Sequence, residues 1–154
     1  MKKKILILFF LLPALFFSFA EHLLLEEAQL HLDKKYVYAT AGEKTFDCSG
    51  FTLYCFKNVY GIELLRSARE QGYDETYTKI EAIEELLPGD LVCFNTVSDK
   101  DLSDHVGIYM GDGNFIHASS GQGKVCISTL LEGYYNTHFS WGRRIIEEEN
   151  NEAQ

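Results

Sequence analysis

Apolar residues recur every four positions in the first half of this chain and every two positions in the second, and Pro88-Gly89 marks the change. Phe51, Cys55 and Val59 share one face of a helix, and Gly61 stands where a left-handed cap would end it. Residues 23–33 predict a short leading helix, residues 64–72 a helical turn, and residues 80–87 a further short amphipathic piece. Beyond the Pro-Gly turn, residues 90–94, 105–111, 114–119, 124–130 and 141–146 alternate as strands do. Two glycine-rich turns, at 111–114 and 121–123, join three of them as hairpins. Helices first and antiparallel strands second predict an α+β fold, with N-terminal helices packed on a C-terminal sheet. At 154 residues, without an internal repeat or linker, the chain is expected to form one domain.

The first twenty residues are of another kind. Lys2-Lys3-Lys4 precede an uncharged run from Ile5 to Ala20 that ends in Ser18-Phe19-Ala20. A basic start, an apolar middle too short for a comfortable membrane span and a small-residue end predict a secretory signal peptide cut after Ala20. An uncleaved anchor is the alternative; no cysteine near the cleavage site suggests a lipid-modified terminus. The expected organisation is therefore leader 1–20, domain 21–146 and an acidic flexible tail 147–154. Localisation is expected in the periplasm, the cell wall or outside the cell, with no stable membrane anchor after cleavage. Removing the leader takes away three lysines and no acid, so the net charge moves from −9 to −12. So acidic a domain is a poor ligand for nucleic acid, which is bound by neutralising phosphates.

Candidate chemistry centres on Cys48. Thr45 and Asp47 are both plausible N-caps, so the cysteine falls in or beside the first turn of a helix, where free N–H groups favour a thiolate. Cys55, Cys93 and Cys126 lie in apolar periodic segments and read as buried thiols, with a bridge between two of them as the alternative. No Cys-x-x-Cys or His-x-x-x-His spacing suggests zinc, and no cofactor is expected. On the first hairpin strand Val106, Ile108 and Met110 share one face and leave His105 on the other. On the return strand His117 lies opposite to Ile116 and Ala118. Pairing the two aliphatic rows sets His105 and His117 on one face as diagonal neighbours. A cysteine at a helix start with two imidazoles is a nucleophile–base–orienter arrangement, with His105 as base and His117 fixing its tautomer. His22, His31 and His138 are given no role.

Three segments, Phe-Asp-Cys-Ser-Gly-Phe at 46–51, His-Val-Gly-Ile-Tyr-Met-Gly at 105–111 and Asn-Phe-Ile-His-Ala-Ser at 114–119, resemble the core motifs of the NlpC-type cell-wall cysteine peptidases. The resemblance extends to Tyr36-Val37-Tyr38, to residues 65–71 and to residues 87–92, and so covers residues 33–146. It implies a papain-like fold reduced to one domain and hydrolysis of stem-peptide amides in peptidoglycan, most often between D-glutamate and a diamino acid. By position it makes Cys48 the nucleophile, His105 the base, His117 the third catalytic residue and Tyr36 an oxyanion donor. Asp47, Ser49, Arg66 and Gln71 fall at positions that the family places near the substrate. The sequence departs from the family after Tyr38, where Ala39-Thr40-Ala41-Gly42 replaces a Gly-Gly pair. About fifteen residues separate Ala20 from Tyr36, too few for a wall-binding module, so targeting would fall to the domain itself or to a separate targeting or regulatory protein. Two other readings remain open: an amidase or acyltransferase on another exported amide, and a wall-peptide binding module with a dead site.

Overall fold

The computed structural model describes residues 21–97 and 103–147. The expected leader 1–20 and all but Glu147 of the expected tail lie outside these residues. Helix α1 covers 21–29. After it come β1 (Lys35–Tyr36), β2 (Ala41–Gly42), β3 (Thr45–Phe46), α2 (Cys48–Tyr60), α3 (Ala68–Tyr73), β4 (Thr78–Ile80) and a 3-10 turn at Ile83–Glu85. The second half holds β5 (Leu91–Phe94), β6 (His105–Gly111), β7 (Asn114–Ser119), β8 (Lys124–Thr129), α4 (Gly133–His138) and β9 (Phe139–Arg144). The α+β expectation holds, and the sheet is larger than foreseen, with nine strands among the described residues in the order β2-β3-β1-β8-β7-β6-β5-β9-β4. β1 and β3 pair in parallel; the other pairings are antiparallel.

Each face of the sheet carries its own core. Val106, Ile108, Ile116 and Ala118 pack with Phe51, Cys55 and Phe56 of α2, the face read from the four-residue period. Val92, Phe94, Tyr109 and Phe115 form a second cluster on the other face, beneath Tyr135 of α4 and Phe139. The leading helix is tied in by buried His31, whose ring meets Phe46, Phe51 and Tyr54 edge-on. At the other end Arg143 and Trp141 of β9 both donate to the Gly72 carbonyl, which fastens α3 to the sheet.

The hairpin register arises as the pattern requires. Asp112 (φ 51°) and Gly113 (φ 73°) make a two-residue turn of the type that matches strand twist. Gly111 opposite Asn114 would set the wrong parity, and a bulge between Tyr109 and Gly111 corrects it. Ile108 then lies opposite Ile116, and both histidines fall on the Phe115 side.

Helix α2 begins at Cys48 with Asp47 as N-cap and ends on Gly61 (φ 69°). Thr45, the other cap candidate, is a residue of β3 instead. Gly50, in the first turn, is in contact with the strap before the helix: a Cβ there would collide with the Thr40 carbonyl oxygen and come within 2.9 Å of the Ala41 Cα. Both obstacles are backbone and cannot rotate away. Gly50→Ala is therefore expected to cost about 1–3 kcal/mol through overpacking, read as a lower urea midpoint at unchanged m-value. An unaltered midpoint would mean that the strap and the helix are not in contact.

Candidate active site

Local structure around Cys48 is built by hydrogen bonds rather than by apolar packing. The buried Asp47 carboxylate accepts the Gly50 N–H at 2.7 Å, and the Asp47 N–H donates to the Thr40 carbonyl at 2.9 Å. Arg66 reaches the same carboxylate with both terminal nitrogens, at 3.1 and 2.6 Å, and also donates to the Ser49 hydroxyl at 3.1 Å. Gln71, fully buried, takes the Thr52 hydroxyl at 2.7 Å and donates to the Ser49 and Leu65 carbonyls. The cap, the ion pair and the glutamine hold the first turn from three sides. Gln71 thus lies behind the helix start and not on the cleft, apart from the other three residues expected near substrate.

A cavity of about 480 Å³ opens in front of this turn, lined among others by Tyr36, Tyr38, Asp47, Cys48, Arg66 and Arg69. Tyr36 arrives there because β1 runs parallel to β3, with Tyr36 beside Phe46, two residues ahead of the cysteine. Burial raises the Tyr36 phenol, and the nearby Asp47 charge acts in the same sense, so the hydroxyl stays a proton donor. Ala39, on the same wall, holds φ 60°, a left-handed conformation that a glycine would adopt without strain.

The two histidines meet on the far side of the sheet. His105 Nε2 and His117 Nδ1 are 2.7 Å apart, and the rings stand edge-on at 82°. Gly107, the residue between His105 and Tyr109 on that face, makes room for the contact: a Cβ there would come within 2.8 Å of Phe115 and 3.1 Å of the His117 Cβ. Tyr135 packs over both rings. The β6–β7 ladder runs only from Gly111 to Ile108. Past its end Cys48, from the helix side, packs against the core cluster that holds Val106 of the strand carrying His105, near enough for the Val106 backbone N–H to favour a thiolate. Cys48 opens onto the first cavity, whereas His105 lines a second one of about 360 Å³ with Ser119, Gln122, Ser128 and Tyr135. Among the described residues no hydrogen bond joins Cys48 to His105, a contact that in free enzymes often tightens only when substrate arrives.

Electrostatics favour neutral partners in this resting arrangement. Burial, with the Asp47 charge adding to it, pushes the Cys48 thiol up to about 11, against the N–H groups of Val106, Ser49 and Cys48 that favour the thiolate. The depressed thiol expected from the helix start alone is outweighed by desolvation. Burial also lowers His105 to about 4, opposed by the Asp104 carboxylate, and lowers His117 further, helped by His105. The cysteines are all free thiols, with Cys55 and Cys93 buried and Cys126, contrary to expectation, half-exposed. Sequence reasoning also missed Tyr135, Asp104 and Ser128. Only Ser128 left a signal there, as a polar residue in the strand that follows His117.

Residues 33–144 match the NlpC/P60 family. Among curated proteins, the chain is 37% identical over 119 residues to the probable endopeptidase YafL of Escherichia coli K12, covering 77% of this chain and 47% of that one. It is 37% identical over 112 residues to murein DD-endopeptidase MepS/murein LD-carboxypeptidase of the same organism (73% and 56%). The gamma-DL-glutamyl hydrolase of Bacillus subtilis is 37% identical over 120 residues (77% and 28%). The chain thus spans about half the length of the first of these relatives and less than a third of the last. A crystal structure of an NlpC/P60 family protein from Bacillus cereus superimposes with a TM-score of 0.72 at 31% identity, over 80% of this chain and 39% of that one.

Buried neutral histidines tie stability to pH. Because the folded-state pKa of His105 lies below the ordinary 6.5, the unfolded chain binds the proton first as pH falls. Stability is present above 6.5 and is lost as pH falls toward 4, by about 2 kcal/mol once the partial exposure of the ring is discounted. Urea midpoints should therefore decline between pH 6.5 and 5, before most carboxylates titrate, and less steeply in His105→Gln. Parallel curves for the two proteins would contradict the burial of a neutral ring.

Proposed function

The chain belongs to the NlpC/P60 family, and from that premise we propose that it is an exported peptidoglycan hydrolase, a cysteine endopeptidase that cuts stem-peptide amides between D-glutamate and a diamino acid. The observation that carries this reading is the 2.7 Å bond between His105 and His117 on the strand that Cys48 reaches from the start of α2. Relatives named murein DD-endopeptidase and gamma-DL-glutamyl hydrolase support the substrate class. Arg69 on the Cys48 cavity offers a cation to an acidic acyl group such as a γ-linked glutamate. Export rests on the leader-like sequence of residues 1–20.

In the proposed reaction His105 Nδ1 accepts the Cys48 proton as the sulfur attacks the amide carbon, so two neutral groups become charged only as the bond forms. The developing oxyanion is met by the Tyr36 hydroxyl and by backbone N–H groups of the first turn of α2. The C–N bond then breaks, the imidazolium gives its proton to the leaving amine, and a thioester remains. Water adds to the thioester carbon, loses its proton to His105, and the thiol is restored as the C–S bond opens. His117 keeps the His105 ring in place throughout. Tyr36 contributes by hydrogen bonding alone and remains a phenol.

Purified muropeptides incubated with the protein should yield fragments whose masses correspond to a cut between D-glutamate and the diamino acid. Cys48→Ala should yield none while its circular dichroism stays that of the wild type. His105→Ala should lose about 10³-fold in rate and His117→Ala about 10–100-fold, since the latter acts through the former. Fragments of another mass would move the reading to a different amide, intact muropeptides would end it, and equal losses at the two histidines would overturn their division of labour.

A further inference from the structure

The His105–His117 contact leaves a question that its length does not answer. Two nitrogens at 2.7 Å share one hydrogen, so one ring donates and the other accepts. Burial keeps both rings neutral, each with one N–H and one lone pair, and so there are two self-consistent arrangements. In the first, His105 carries its hydrogen on Nε2 and donates to His117 Nδ1. Its own Nδ1 then has a lone pair, and the His117 hydrogen must sit on Nε2. In the second, His117 donates from Nδ1, the His105 hydrogen moves to Nδ1, and the atom needed to take a thiol proton is blocked. Only the first can work as a base.

What distinguishes the two is the far side of His117. In the first arrangement Nε2 is a donor that needs an acceptor, and in the second it is an acceptor that needs a donor. Two groups stand there: the Ser128 hydroxyl at 3.0 Å and the Cys126 sulfur at 3.6 Å. Both come from β8, where Cys126 is directly opposite His117 and Ser128 is the diagonal neighbour on the same face. A thiol is a weak acceptor, whereas a hydroxyl oxygen offers two lone pairs. The Cys126 sulfur, near enough for the Ser128 hydroxyl to act on it, gives the hydroxyl hydrogen a direction other than His117. With the hydrogen turned that way, the oxygen lone pairs face His117 Nε2.

We propose that Ser128 is a positioning residue of this site, whose hydroxyl accepts the His117 Nε2 hydrogen and so holds both rings in the tautomer that leaves His105 Nδ1 free for the Cys48 proton. The chain of donors then runs in one direction, from His105 to His117 to Ser128. Its catalytic value rests on the assignment of Cys48 and His105 as nucleophile and base, whereas the tautomers themselves do not. Ser128 touches no reacting atom and acts only through the two rings.

Ring-nitrogen NMR of the full chain, uniformly labelled with ¹⁵N at pH 7, separates protonated from bare imidazole nitrogens. His105 and His117 should both show the Nε2–H form. In Ser128→Ala the His117 signals should shift toward a mixture of tautomers, kcat on muropeptides should fall about tenfold with KM unchanged, and Ser128→Thr, which keeps the hydroxyl, should restore both. A wild-type ring carrying its hydrogen on Nδ1 would overturn the proposal, and so would tautomers and kcat that ignore the loss of the hydroxyl. If the wild-type protein cut no wall peptide, the functional reading would fail while the NMR assignment still decided the tautomers.

Discussion

The Asp47 carboxylate determines where α2 starts and therefore where Cys48 stands. It caps the helix through the Gly50 N–H, forms the paired contact with Arg66, and accepts the Ser49 hydroxyl at 3.2 Å. Ser49 and Gly50 belong to the first turn of α2 and Arg66 to the segment before α3, so the cap joins α2 to the approach to α3 at a single buried group. On the other side Gly50 lets the Thr40 backbone lie directly against the first turn, and that strap is continuous with the strand that delivers Tyr36. A buried carboxylate without such partners would be costly, so the cluster is held as a unit or not at all. The same charge also disfavours a thiolate next to it, and the site gains position at the expense of resting ionisation.

The sheet contributes the second half by ending a ladder early. β6 and β7 are paired near their turn and unpaired at the His105 end, where the Val106 N–H and the missing side chain of Gly107 leave space for groups from two directions. The cysteine comes from the α2 face and His117 from the Phe115 face. A continuous ladder of larger residues would keep the two faces apart. Neutral histidines and a neutral thiol suit this arrangement, because charge in so dry a place is stabilised only when the reacting bond supplies it.

Much of this was legible in the residues. The alternation in 105–111 and 114–119 set the strand limits and put both histidines on one face, because a one-residue slip would have buried the polar rows. The period-four row of α2 and its Gly61 cap were equally plain. The two-residue strands β1, β2 and β3 were not, since no periodicity can develop in so short a span and β1 depends on partners ten residues or more away. Helix α4 has no side-chain cap and packs half-buried Tyr135 against the histidines, a contact that only the tertiary fold creates. Gln71 looked like a cleft residue from its place in the motif, and its partners Thr52, Ser49 and Leu65 make it a brace instead. Desolvation of Cys48 was invisible for the same reason, because burial is a property of the assembled core.

The central claim is that Cys48 becomes covalently acylated, and the direct measurement is intact-protein mass spectrometry after rapid acid quenching of the protein mixed with a muropeptide. The account predicts a transient gain in mass equal to the acyl fragment, mapped to Cys48 among the four cysteines and absent when that residue is alanine. Release of fragments with Cys48 unmodified and open to alkylation at every time point would contradict it, and would assign the hydrolysis to a water molecule rather than to the thiol.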